Sequence, residues 1–270
     1  MSGGIELDAG FGQDRPNAAR IYDYLLGGYN NFAVDRIAGD RVVQLFPDAR
    51  AAMQANRAFL RRSVTFLADN GIDQFLDLGS GIPTVGNVHE VAHQVNRAAR
   101  VVYVDLDPVA IHHSRAILRA NPQVSALEAD IRQPAYILGH ARVRELLDLN
   151  RPVAVLILAV LHFVPEDEQA YGLVSAIREA LTRGSYVAIS HASDEKIAAE
   201  VEAQGQQLYS HTPTPGRMRS RTEITRFFEG LALVDPGLVW APLWRPESEN
   251  DVLLNSPDAS MNLVGVGRVR

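Results

Sequence analysis

No cysteine occurs in the 270-residue chain, so a disulfide framework and a thiolate metal site are both excluded. Lysine is nearly absent as well. Of 26 basic residues only Lys196 is a lysine, which removes the Tyr-x-x-x-Lys pair that a nicotinamide oxidoreductase could use. Long apolar runs are missing: the longest, Val153 to Val160, falls far short of the ~20 residues a membrane helix needs, and no membrane partner is expected. The first ten residues carry neither a basic nor an apolar leader segment, so no secretory signal is expected and a cytoplasmic setting is. A formal net charge of −6 argues against general binding to nucleic acid. The 47% hydrophobic content is enough for one large core carrying an N-terminal extension.

What is present is organised around Gln74-Phe75-Leu76-Asp77-Leu78-Gly79-Ser80-Gly81-Ile82-Pro83. A short apolar run ends there in a glycine turn and then opens a helix, which is the form of a nucleotide cradle. Gly79 and Gly81 remove the Cβ atoms that would keep a ligand from the backbone. A second run, Arg100 to Asp105, ends in carboxylates roughly 20 residues later, where an acid can accept both hydrogen bonds of a ribose diol. Asp105 is preferred over Asp107 for that task because it stands at the strand end. Pro83 withdraws a backbone donor where a pyrophosphate would bind, so the turn suits a nucleoside cofactor whose amino-acid end lies over it, as in S-adenosylmethionine.

Along the chain, residues 1–13 read as a flexible N-terminus and residues 14–46 as a helical lid, with helices from Asp14 to Leu26 and from Asp35 to Leu45 separated by Gly27-Gly28. Residues 47–270 read as the cofactor-binding domain. A long helix closes at Asn70-Gly71, and strands then alternate with helices: Gln74 to Leu78, a helix Val85 to Val95, Arg100 to Asp105, a helix Pro108 to Arg119, and Val124 to Ala129. Val153 to Ala159 and Ser185 to Ser190 supply two more strands around a helix from Glu166 to Leu181. A polar helix is expected from Ser193 to Leu208, a loop from His211 to Gly216, and a capping box at Ser220-x-x-Glu223. Leu231 to Val239 and Met261 to Val269 are expected to close the sheet as an antiparallel pair, with Pro242 to Ser260 as a linker. The fold class is therefore α/β, a Rossmann-like seven-stranded sheet of five parallel strands plus that pair.

The strand-end pattern resembles the class I S-adenosylmethionine-dependent methyltransferases. More narrowly, Arg15-Pro16-Asn17-Ala18-Ala19-Arg20-Ile21-Tyr22-Asp23-Tyr24-Leu25-Leu26-Gly27-Gly28 together with Phe75 to Thr84 resembles an actinobacterial methyltransferase-like family, formerly a domain of unknown function. The resemblance implies S-adenosylmethionine as cofactor and S-adenosylhomocysteine as product. It implies that Gly79, Ser80 and Gly81 meet the methionine part, that Asp77 orients the turn or the cofactor amine, and that Asp105 holds the ribose. Asp130 would meet the adenine amine, Leu106 and Ile131 the faces of the base, and Ala159 and Val160 the methyl side. Tyr22, Tyr24, Asn30 and Asn31 are expected to shape the acceptor side, with His162 as a proton acceptor for a small-molecule substrate. The alternative is a non-catalytic or regulatory protein that keeps the cofactor pocket.

Other signals have plainer readings. His89-Glu90-Val91-Ala92-His93 matches the H-E-x-x-H zinc pattern, but no third ligand follows at a suitable distance, and no metal is expected. Arg217, Arg219, Arg221 and Arg226 read as a solvated basic face, and Trp240 and Trp244 as packing around the closing strands.

Overall fold

A computed structural model describes residues 14–82, 86–118, 121–210 and 212–270. The expected flexible segment 1–13, the donor-poor Pro83, the helix start at Val85, the helix end at Arg119 and the loop start at His211 lie outside them. Among the described residues eight strands form one sheet. In chain order they are β1 (Gln74–Leu78), β2 (Arg100–Asp105), β3 (Val124–Glu128), β4 (Ala154–Leu158), β5 (Tyr186–Ala192), β6 (Leu231–Leu233), β7 (Val239–Trp240) and β8 (Asn262–Val269). Their order across the sheet is β3-β2-β1-β4-β5-β8-β6, with β7 paired to β8 beside this path. The first five are parallel, and β8 runs antiparallel between β5 and β6. The expected strand from Leu231 to Val239 is broken in two by a turn in which Gly237 donates to the Val234 carbonyl at 2.7 Å, and this adds the eighth strand.

Residues alternate in direction along each strand, so the sheet feeds two cores. Leu76, Val102, Val155 and Ile157 pack on one face against Leu173 and Ile177 of α8 (Asp167–Ala180). Phe75, Val101, Tyr103 and Leu156 pack on the other against Phe59 and Leu67 of α3 (Ala49–Asp69) and Val91 of α4 (Val88–Val95). β1 and β4 are buried along their whole length, as a central parallel strand requires. The expected linker 242–260 is part of this second core. Trp244 is fully buried edge-on to Phe59 and Phe66, and Arg62 holds the Trp244 and Ala241 carbonyls at 2.8 Å each.

A third core makes the cap. Ile21 and Leu25 of α1 (Ala18–Leu25) and Ala38 and Val42 of α2 (Ala33–Leu45) bury against Phe46 and Ala49, and Val201 and Leu208 of α9 (Ala199–Ser210) join them. The cap is thus built from both the N-terminal segment and a helix that lies far later in the chain. α9 begins later than the expected Ser193, because Ser193 bridges to Arg219 and Lys196 takes a left-handed backbone at φ 68°. No helix among the described residues is long and apolar enough to cross a membrane.

Candidate active site

The carboxyl ends of β1, β2, β3 and β4 face the cap across a cavity of about 790 Å³. The ends of parallel strands are where open α/β sheets hold ligands. Gly79 has φ 73°, and its N–H and that of Ser80 both donate to the Val104 carbonyl, at 2.8 and 3.0 Å. A Cβ on Gly79 would stand 2.3 Å from Val160, so glycine is demanded there twice. Gly81, at φ 65°, donates its N–H to Asp105 Oδ2 at 2.7 Å, while Asp105 Oδ1 accepts from the Asp107 N–H at 2.8 Å. Asp105 therefore braces the glycine turn to the exit of β2. Asp107 instead caps α5 (Pro108–Leu118), accepting from the Val109 N–H at 3.0 Å.

The site holds acids in a low-dielectric wall. Burial pushes Asp77 up to about 7 against the opposing charge of Arg57, and pushes Asp105 up to about 6 against its backbone donors. Asp130, at the end of β3, behaves differently. Burial would raise it, but Arg132 binds both its oxygens, Nε reaching Oδ1 at 2.9 Å and Nη2 reaching Oδ2 at 2.5 Å, and holds it below the usual carboxylate range. Ile131 is buried beside it, and Leu106 is 43% exposed on the cavity rim.

At the end of β4, Ala159 adopts a left-handed backbone at φ 52°, a strained conformation of the kind that gathers at functional sites. Its N–H donates to Ser190 Oγ at 2.8 Å, Ser190 donates to Asn56 Oδ1 at 2.7 Å, and Asn56 Nδ2 donates to the Tyr22 hydroxyl at 3.0 Å. Tyr22 in turn donates to the Met53 carbonyl at 3.3 Å. One chain of hydrogen bonds so joins the cap to the sheet edge, and burial raises the Tyr22 hydroxyl above its ordinary pKa. His162 lines the cavity next to Phe163, their rings 4.4 Å apart. Its Nδ1 accepts a long bond from the Ala192 N–H at 3.5 Å, so the ring proton sits on Nε2, which offers a ligand a donor and not the expected proton acceptor. Burial, helped by the Arg219 charge, pushes the imidazole down to about 3, so it is neutral at neutral pH.

Of the four lid residues expected at the acceptor side, only Tyr22 lines the cavity. Tyr24 turns to α2, where its hydroxyl donates to Asp40 at 2.7 Å and its ring covers Gly39. Asn30 and Asn31 hold the buried Asp23 carboxylate, by backbone N–H at 2.9 Å and side-chain amide at 2.8 Å. The Gly-Gly-Tyr-Asn-Asn turn is therefore folded around Asp23, and Gly28 packs directly on that carboxyl. Arg20 was not singled out by the sequence. It is buried, donates to Asp35 at 2.9 Å, and lies 3.6 Å from Asp107, tying both cap helices to the end of β2. Asn56 does carry a signal: it falls on the same helical stripe as Met53, Leu60 and Val64, a polar residue on an apolar face.

The zinc-like motif is engaged otherwise. Tyr103 donates to His89 Nδ1 at 2.7 Å, His93 Nε2 bonds the Ala99 carbonyl at 2.9 Å, and Glu90 caps α4 by accepting the Asn87 N–H at 2.9 Å. Of the arginine cluster only Arg226 lies on a solvated face. Arg219 is fully buried, donating to Asp167, His191 and the Val164 carbonyl at 3.0, 2.9 and 2.9 Å, while Arg217 pairs with Asp167 and Glu223. His191 is thereby fixed as a neutral ring, donating from Nδ1 to the Ala192 carbonyl at 2.7 Å.

The wall fits an adenosyl cofactor with an amino-acid end. A Cβ on Gly81 would meet nothing within 4 Å among the described residues, so the turn is open to a ligand. Ser80 Oγ is buried there without a hydrogen-bond partner among the described residues, and buried polar atoms call for one.

The sequence profile of a family described as S-adenosyl methyltransferase matches residues 6–270. A solved Thermobifida fusca protein, provisionally assigned as a methyltransferase, is 39% identical, with a TM-score of 0.90 over 98% of this chain and all of that one. A DUF574 family protein from Streptomyces avermitilis is 38% identical, with a TM-score of 0.90 over 96% of this chain and all of that one. An O-methyltransferase family protein from Burkholderia thailandensis shares the fold alone, at 14% identity and a TM-score of 0.52, over 84% of this chain and 61% of its own. None of the curated proteins compared with the chain matches it.

Proposed function

This chain belongs to the S-adenosyl methyltransferase family, and from that premise we propose that its cavity serves methyl transfer to a small-molecule acceptor. The observation that carries the reading is the convergence of Asp77, the glycine turn, Asp105 and Asp130 on one cavity wall beneath a cap. When bound, S-adenosylmethionine supplies an electrophilic methyl on a sulfonium, which an acceptor lone pair takes as the C–S bond breaks and its electron pair stays on sulfur. Gly79, Ser80 and Gly81 would hold the methionine part, with Asp77 toward its ammonium. Asp105 would accept the ribose hydroxyls. Asp130 would use a lone pair left free by Arg132 for the adenine amine, between Leu106 and Ile131. Ala159 and Val160 would line the methyl side.

Such a displacement asks mainly for alignment and exclusion of water. The cap of residues 14–46 with α9 supports both, and closing the cavity over a small molecule leaves little access to a nucleic acid. His162, whose Nδ1 accepts from the Ala192 N–H, carries its ring proton on Nε2 and would donate a hydrogen bond to the acceptor oxygen, aiming the remaining lone pair at the methyl. An imidazole pushed to about 3 does not ionise an alcohol beforehand, so the acceptor proton leaves late, from the protonated ether to water. A chain without cysteines suits a cytoplasmic setting.

Calorimetric titration with S-adenosylmethionine, S-adenosylhomocysteine and NAD, repeated on Asp105→Ala, tests the reading. Micromolar binding of both adenosyl ligands, lost in the variant and absent for NAD, is the expected result. Absence of adenosyl binding to folded protein would overturn it.

A further inference from the structure

The cavity is longer than its cofactor wall. Beyond His162 it continues between α9 and the loop that ends at Arg217, and the side chains there differ in kind from the acids at the strand ends. Phe46, Met53, Phe163 and Met218 make an apolar enclosure. Phe163 and Tyr209 pack against each other as a tilted ring pair with centroids 5.5 Å apart, and Gly216 lies beside both, a Cβ there standing 3.7 Å from Phe163 and from Tyr209.

Two polar facts select among ligands. The Tyr209 hydroxyl makes no hydrogen bond to the described residues on a half-buried side chain that lines the cavity, and desolvation pushes it up to about 12, so it stays a neutral donor. Thr214 Oγ1 is likewise buried without a hydrogen-bond partner among the described residues. The charge of Arg217, the arginine that reaches this end, is already committed to Asp167 at 2.6 Å and Glu223 at 2.7 Å. Glu202 faces the same space, hydrogen-bonded by Gln206 at 3.0 Å and without an ion pair among the described residues. A carboxylate or phosphate entering here would lose its hydration, find the Arg217 charge already paired among the described residues, and meet Glu202.

Resting on the methyltransferase reading, we propose that this end of the cavity is the acceptor subsite, that it takes an uncharged, largely apolar hydroxylated molecule, and that Tyr209 orients it by hydrogen bond. The order of the walls supports the arrangement. His162 stands between the strand ends and the Phe163–Tyr209 pair, so an acceptor lying on those rings brings its hydroxyl to Nε2 on the side where Ala159 and Val160 close β4. The acceptor oxygen, held by Nε2–H, forms the new C–O bond as the C–S bond breaks with its electron pair staying on sulfur, and the proton of the resulting oxonium passes to water.

The probe is 2-naphthol, read by its own fluorescence, with 3-hydroxy-2-naphthoate as its carboxylated counterpart, both titrated into the full chain saturated with S-adenosylhomocysteine. Saturable 2-naphthol binding is expected, with the carboxylated probe weaker by about tenfold or more. Tyr209→Phe should weaken 2-naphthol by about tenfold while S-adenosylhomocysteine affinity stays constant. Glu202→Arg, which places a cation at the same end on an exposed helix, should narrow the gap between the probes. Equal or tighter binding of the carboxylated probe, no 2-naphthol binding, or an unchanged affinity in Tyr209→Phe overturns the proposal. If S-adenosylhomocysteine itself does not bind, the methyltransferase reading fails and this one falls with it.

Discussion

Two glycines of one turn should respond to alanine in opposite ways. At Gly79 an added Cβ meets Val160 at 2.3 Å (Cγ2) and 2.7 Å (Cβ), on a backbone at φ 73°. The left-handed conformation costs a non-glycine residue roughly 1–2 kcal/mol. Overpacking against a buried strand end adds about 1–3 kcal/mol. Gly79→Ala should therefore lose about 2–5 kcal/mol of stability in urea titration, each kcal/mol lowering Tm by about 2–4 °C in a chain of this size. Gly81 has φ 65° but meets nothing within 4 Å among the described residues. Gly81→Ala should cost only the conformational part, about 1–2 kcal/mol, and express its effect as weaker S-adenosylmethionine binding. Val160 provides the control. Val160→Gly in the Gly79→Ala background should restore the steric share, whereas Val160→Ala should not, because the Val160 Cβ is itself within 2.7 Å. Equal stability losses at the two glycines, or full rescue by Val160→Ala, would refute the reasoning.

The remaining tests bear on charge and on the cap. Asp77 and Asp105 are raised to about 7 and about 6, so each binds more protons folded than unfolded, and their contribution to stability falls as pH climbs from the ordinary carboxylate range to about 7. Asp77→Asn should remove the upper part of that slope. Wild-type affinity for the net-positive S-adenosylmethionine should rise across the same window with proton release, seen as a buffer-dependent heat in calorimetry; a flat profile counts against the buried acids. Arg20→Ala leaves Asp35 charged and buried, and should cost about 3–5 kcal/mol in denaturant titration; a loss below 1 kcal/mol means the pair does not anchor the cap. Ser190→Ala strands Asn56 Oδ1 and should cost about 1–3 kcal/mol, whereas an unchanged midpoint would deny the relay to Tyr22. EDTA should leave Tm unchanged, because His89, Glu90 and His93 already have protein partners; a fall would reinstate a metal.

Much of the fold was legible because its signals are local. The β-branched run from Arg100 to Asp105 and the unbroken Val153 to Ala159 mark strands buried on both faces, and the glycine turn sits where its spacing from Asp105 puts it. The capping box at Ser220 and Glu223 forms as expected, with Glu223 accepting the Ser220 N–H at 2.8 Å. What escaped depended on distant partners or on short reach. α6 (Pro134–Gly139) and α7 (Ala141–Leu146) are too brief to show a helical period, and the break at Asp235-Pro236-Gly237 hides inside a run that reads as one strand.

The site divides along the same line. Asp77, Gly79, Gly81 and Asp105 are placed by backbone alone, since a strand end and its turn fix where they stand; the cap residues are placed by partners that no local pattern names. Arg20 finds Asp35 and Asp107, and Asn56 finds Ser190, across 15, 87 and 134 positions of chain. Yet one of the missed assignments was within reach of geometry. Tyr22 and Tyr24 lie two residues apart on one helix, so they point about 200° away from each other and cannot both line a single cavity. With Ile21 and Leu25 buried in the cap core, the helix has one remaining side toward the sheet. Tyr22 takes it and closes the hydrogen-bond chain to Ala159, and Tyr24 is left to brace α2.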